Sequence, residues 1–249
     1  MRSIHRALAL STATIGVILL VPLAQALGAN GPGSRPAPTC PSFDSGNFHK
    51  STTIDNPYFP LVPGTRFTYK GAVQKTPVVD VVTVTHNTPT IDSVKTVEVR
   101  DQVFEGPAPG VLTEDTLDWY GQDEQGNVWY FGELATQLPA GTHDGSWTAG
   151  VDSAQPGYIM EAAPKVGDVY CQENAPGVAQ DAAQVVSVSA SRSVPFGSFT
   201  GSVLQTKDYS LIETHNENKF YAPSVGNLEA ISTTGPSEDI QLVAIERGV

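Results

Sequence analysis

Basic residues are scarce in this chain: 14 lysines and arginines face 26 aspartates and glutamates over 249 residues, a formal net charge of −12. A surface of that sign repels phosphate backbones and anionic headgroups, so a charge-driven nucleic-acid partner is excluded. Cysteine is limited to Cys40 and Cys171. No Cys-x-x-Cys pair, no phosphate-cradling Gly-rich loop between strand and helix, and no basic aromatic platform is present. Ser146 lacks the Gly-x-Ser-x-Gly elbow that exposes a nucleophile, which removes the commonest serine-hydrolase pattern. No apolar run beyond residue 23 is long enough to span a bilayer, and no segment sustains a 3.6-residue period. No motif asks for a cofactor, and none is expected.

What is present begins with an address. Arg2, His5 and Arg6 precede the apolar run Ala7 to Leu23, and Ala24-Gln25-Ala26 supplies the small-x-small pattern that a signal peptidase accepts. Residues 1 to 26 therefore read as a signal peptide, and the mature chain as secreted or periplasmic. Ser11, Thr12, Thr14 and Pro22 interrupt the run, which argues against a membrane anchor, and Cys40 lies too far past Ala26 for a lipid-modified N-terminus. In an oxidising compartment two cysteines most simply pair, so a Cys40–Cys171 disulfide is expected. Residues 27 to 42, "LGANGPGSRPAPTCP" and Ser42, read as a flexible extended arm, and residues 43 to 249 as a single antiparallel β domain.

Period-2 patterns rich in Val and Thr dominate that domain, at 78–85, 93–103, 128–131, 185–191, 201–209, 218–222, 228–232 and 240–246. The stretch 175–188 is the best place for a short helical turn. In "LDWYGQDEQGNVWYFGE", residues 117–133, aromatic arms flank a tip at which Gly126 can take positive φ, which predicts a hairpin. Residues 55–71, "DNPYFPLVPGTRFTYKG", form a rigid corner: Pro57 and Pro60 fix φ, Gly64 permits a turn, and Phe67 and Tyr69 then share one face of a strand. Weaker corners recur at Pro164 to Cys171 and Pro195 to Phe199. The expected fold is mainly β, a curved antiparallel sheet or half-barrel with a short helical turn at most.

The motif Pro60-Leu61-x-x-Gly64-x-x-Phe67-x-Tyr69 resembles the leading strand of a widespread group of secreted bacterial β-rich proteins of unassigned function. "VPFGSF" with "VLQTKDYS", and "KFYAPSVGNLEAI", are similar to late strands of that group, and Asn227 after Gly226 departs from its usual apolar residue. The resemblance covers most of residues 55 to 232 as short scattered motifs. It implies a curved sheet or half-barrel and brings no catalytic residues.

The densest polar and aromatic stretch is 104–152, which holds all three tryptophans. Carboxylates beside aromatics are the composition of sugar-binding clefts and glycosidase sites, although turn acids beside cross-strand aromatics give the same composition. In "GTHDGSW", residues 141–147, His143 beside Asp144 is too little for a metal site, and none is expected. Three readings follow. The first is an exported, non-enzymatic binding protein with a concave apolar or mixed pocket, taking a small apolar or glycan-like ligand. The second is a secreted carboxylate-dependent polysaccharide hydrolase or lyase, and the third an envelope assembly or structural protein. For the first, Trp119, Trp129, Phe67, Tyr69 and Tyr120 are the candidate walls, with the loop carrying His143, Asp144 and Trp147 covering the mouth.

Overall fold

A computed structural model describes residues 35–248. The expected signal peptide and the first part of the arm lie outside the described residues. A single 3-10 turn, Ser45–Asn47, precedes the strands β1 (Thr65–Val73), β2 (Thr76–Val84), β3 (Thr90–Ile91), β4 (Val94–Lys95), β5 (Val97–Glu105), β6 (Val111–Gln122), β7 (Val128–Gln137) and β8 (Trp147–Thr148). There follow β9 (Gln155–Met160), β10 (Val169–Cys171), β11 (Glu173–Asn174), β12 (Asp181–Val194), β13 (Gly197–Ser210), β14 (Asn216–Ala222), β15 (Gly226–Thr234) and β16 (Glu238–Arg247). The period-2 segments of the sequence fall on these strands, with 93–103 split between β4 and β5. The helical turn does not form at 175–188, because Pro176 and Gly177, at φ 73°, close a tight turn between Ala175 and Ala179 before β12 begins.

One sheet runs β10-β12-β13-β14-β15-β16-β1-β2-β5-β6-β7-β9-β11, with β8 attached to β7, and β3 pairs only with β4. Tight turns set the register of its hairpins: Gln74 and Lys75, at φ 48° and 73°, join β1 to β2. Bulges at Thr68/Tyr69, Val103/Phe104 and Trp119/Tyr120 bend the sheet. Its two ends come together where β9 meets β10, so close that a Cβ on Gly157 would sit 2.5 Å from the Cys171 carbonyl oxygen. The result is a curved, nearly closed antiparallel sheet, the fold class expected from the sequence.

Alternation along the strands builds the interior. In β6 the positions Glu114, Thr116, Asp118 and Tyr120 are buried while the residues between them are part exposed. The described end of the arm is tied to the far side of the sheet. Cys40 is bonded to Cys171, Thr39 bridges Tyr170, and Arg35 donates to the Ser210 and Glu213 carbonyls. On the outer face of β7, as an aromatic extension of the one continuous core, Phe43 and Phe48 pack edge-on against Trp129 and Phe131 at centroid distances of 5.5 to 5.9 Å.

Candidate functional site

The proline-rich corner does more than lead into β1; it crosses one end of the barrel as a cap. Its feet are fixed by hydrogen bonds. Asp55 and Asn56 donate their amides to the Gln122 side-chain oxygen at 3.0 and 2.9 Å, and Leu61 donates to the Ile54 carbonyl at 3.1 Å. The Ser224 amide, on the β14–β15 turn, donates to the Pro57 carbonyl at 2.7 Å. Between these anchors Phe59 drops its ring edge-on against Tyr120, with centroids 5.4 Å apart.

Beneath the cap lies a cavity walled by Phe59, Leu61, Phe67, Val82, Val99 and Tyr120, with Tyr69 and Tyr221 also facing it. Val82 sits near the end of β2, Val99 near the start of β5, Tyr120 near the end of β6 and Tyr221 near the end of β14. In antiparallel strands those positions share one rim, and a wall shared by β6 and β14, with five strands between them in the sheet, exists only because the sheet curls. The wall is almost entirely carbon. Its volume, about 60 Å³ for the centre of a water-sized sphere, is several times the ~10–15 Å³ that one water needs. Pro60 and Phe67 also line a second, outer depression of about 200 Å³.

Below the cavity the interior turns acidic. Asp80, Asp101, Asp118, Glu114 and Glu133 are all buried on strands β2, β5, β6 and β7. Tyr130 donates to Asp118 at 2.6 Å, with Glu133 at 3.3 Å, and its ring stacks on Tyr120 at 4.9 Å. Burial, reinforced by Asp101, pushes the Asp118 carboxyl well above the ordinary carboxylate range. Burial and the surrounding carboxylates likewise raise Tyr120 and Tyr130. On the other side of the interior, Lys219 lies 2.9 Å from Glu217 and 3.4 Å from Asp208. Burial works against the Glu217 carboxylate, yet Lys219 and His215 hold it down to about 2.

The candidate residues divide among several places. Phe67, Tyr69 and Tyr120 meet in the capped cavity. Trp119, one residue before Tyr120, faces the other way, and Trp129, paired with Gly121, sits in the outer aromatic core with its Nε1 donating to Asp123 at 2.8 Å. The two tryptophans are therefore not walls of this cavity, since strand alternation turns each away from its inward neighbour. Trp147 belongs to β8 rather than to a mouth loop, and packs edge-on against Tyr130 at 5.4 Å. With Trp119 it lines a surface depression bordered by Leu134, Val151 and Val178. His143 and Asp144 are exposed on a turn held along β7, where the His143 Nδ1 lies 2.8 Å from the Ala135 carbonyl oxygen. No group of three metal-ligating side chains is assembled among the described residues. Among the walls that sequence reading missed are Phe59, Leu61, Val82, Val99 and Tyr221. Val82 and Val99 carried a signal, because each sits at an inward beat of a period-2 run.

No family model and no curated protein matches the chain. Among solved structures the chain is similar to a Bacteroides fragilis protein described as exported and of YmcC-like fold. That similarity has 15% identity and a TM-score of 0.45, and it covers 77% of this chain and 100% of that one. It is also similar to a protein of Parabacteroides distasonis described as a lipoprotein, at 13% identity and a TM-score of 0.40, over 77% of this chain and 99% of that one.

Proposed function

We propose that the chain is an exported binding protein that encloses a small, mainly apolar molecule beneath the Asp55 to Gly64 cap and catalyses no reaction on it. The observation that carries this reading is the capped cavity itself: a mainly apolar pocket, part open to solvent, roofed by a pinned, proline-stiffened segment and bordered by aromatic rings. Such concave apolar chambers are the usual form of small-ligand sites. Export is supported by the leader-like residues 1 to 26 and by the Cys40–Cys171 bridge.

The polysaccharide hydrolase reading needs two carboxyl groups flanking a substrate-sized cleft. The opposed pair in the sheet, Asp118 and Glu133, is 0% and 1% exposed and bound to Tyr130, which leaves no room for a sugar between them. The test is a calorimetric titration of hexan-1-ol into the full mature chain, with Val99→Trp and Val82→Phe as cavity-filling variants. Saturable binding that weakens at least tenfold in either folded variant is the expected result. Absence of saturation, or affinity unchanged in both variants, refutes it.

A further inference from the structure

The capped cavity and the outer depression share Pro60 and Phe67 as a common wall. The outer one is bordered by Val62, Val225 and Ile245 and carries a cation, Arg247, together with one carboxylate, Asp55, whose Oδ1 already accepts from the Gln122 side-chain nitrogen at 2.6 Å. Arg247 is exposed and makes no salt bridge among the described residues, whereas its neighbour Glu246 is already engaged by Arg66 at 3.4 Å. In a chain with 26 acidic residues against 14 basic ones, a guanidinium beside an apolar depression that has no ion-pair partner among the described residues is suited to an outside anion. A guanidinium is suited to carboxylate and phosphate oxygens, which it meets with two parallel N–H donors.

We propose that the ligand is an anionic amphiphile, with its headgroup on Arg247 in the outer depression and its hydrocarbon chain passing Phe67 into the capped cavity. This rests on the binding reading above and adds its chemical class. The anion contributes at the exposed rim, and the hydrocarbon chain contributes by burying apolar area in the cavity. A rotation of the Phe67 ring, which stacks loosely on Tyr69 at a 6.5 Å centroid distance, joins the two spaces. The Pro60 side of the wall stays in place because Pro57 and Leu61, on either side of it, are both tied by backbone hydrogen bonds. Carboxylate and phosphate heads share this chemistry, so the source is either a free acyl acid or a phosphate-headed lipid.

The experiment titrates octanoate, octyl phosphate and octan-1-ol, each below its aggregation limit, into the full mature chain and into Arg247→Gln, followed by calorimetry. At least one anion should bind roughly tenfold or more tightly than the alcohol, the range of a charge-assisted hydrogen bond. Arg247→Gln should bring that anion to the alcohol's affinity while leaving the alcohol unchanged. Tighter binding of octanoate identifies the acyl acid as the source, and tighter binding of octyl phosphate the phosphate-headed lipid. Shortening the better anion to its four-carbon homologue should weaken it by about fourfold for each methylene that leaves the cavity. If alcohol and anions bind alike, or if Arg247→Gln keeps the preference, the headgroup assignment is overturned while the cavity survives. If none of the three binds, both fall.

Discussion

Replacing Tyr120 by Phe should make this protein more stable. Tyr120 is 1% exposed, its ring walls the cavity and stacks on Tyr130, and its hydroxyl has no hydrogen-bond partner among the described residues. The unfolded chain gives that hydroxyl to water, and the folded chain offers it no hydrogen-bond partner among the described residues. A buried polar group in this position costs about 1–3 kcal/mol. Phenylalanine keeps the ring, the stack on Tyr130 and the edge contact with Phe59, so the substitution removes the penalty and little else. For a domain of this size 1 kcal/mol corresponds to about 2–4 °C in melting temperature, so Tyr120→Phe should melt roughly 2–12 °C higher. Urea unfolding followed by circular dichroism should show a higher midpoint with an unchanged slope. Affinity for hexan-1-ol should not fall, because the wall the ligand meets is the ring. A loss of 1 kcal/mol or more would refute the reasoning, since it would mean that the hydroxyl gives its proton to one of the carboxyl groups around it.

Removing the disulfide with Cys40→Ser and Cys171→Ser should lower urea stability by up to about 5 kcal/mol, the chain-entropy value for a loop closed across 131 residues; a loss under about 1 kcal/mol would mean that the arm is held by its other ties. Glu161 supplies a pH signature. Partial burial, then the Asp168 carboxylate, raise it from 4.5 to about 7, so the folded state holds a proton that the unfolded state has released. Stability should therefore be full below about pH 4.5 and decline as pH rises through 7, by about 1 kcal/mol or less because the group is half exposed. Glu161→Gln should flatten that slope in unfolding midpoints measured from pH 5 to 8. Trp147→Ala should cost roughly 3–5 kcal/mol, the price of an aromatic ring removed from a core. His143→Ala, on an exposed turn, should change the same urea midpoint by less than about 0.5 kcal/mol.

Composition, turn chemistry and period-2 patterning determined the β class, the hairpin across 117–133 and the curvature implied by repeated proline corners. They did so because strand alternation and left-handed turn positions are local properties, written in neighbouring residues. The Cys40–Cys171 pair was legible for a different reason: with two cysteines there is one possible bridge. Phe67 and Tyr69 were legible as core-facing residues, yet on the 117–133 hairpin nothing local decides between Trp119 and Tyr120 as the inward side chain, or between Trp129 and Tyr130, since a strand's two faces look alike until one of them is covered. Only the tertiary structure decided that. Curling the sheet set β6 opposite β14 across a shared cavity, and the segment containing Phe43 and Phe48 covered the outer face and took Trp129 there. The same curl carried the cap from Asp55 to Gly64 over the mouth, where its prolines hold a roof as well as a corner. Which residues share a wall depends on contacts between strands far apart in sequence, and those are fixed by long-range closure of the sheet rather than by any single stretch of the chain.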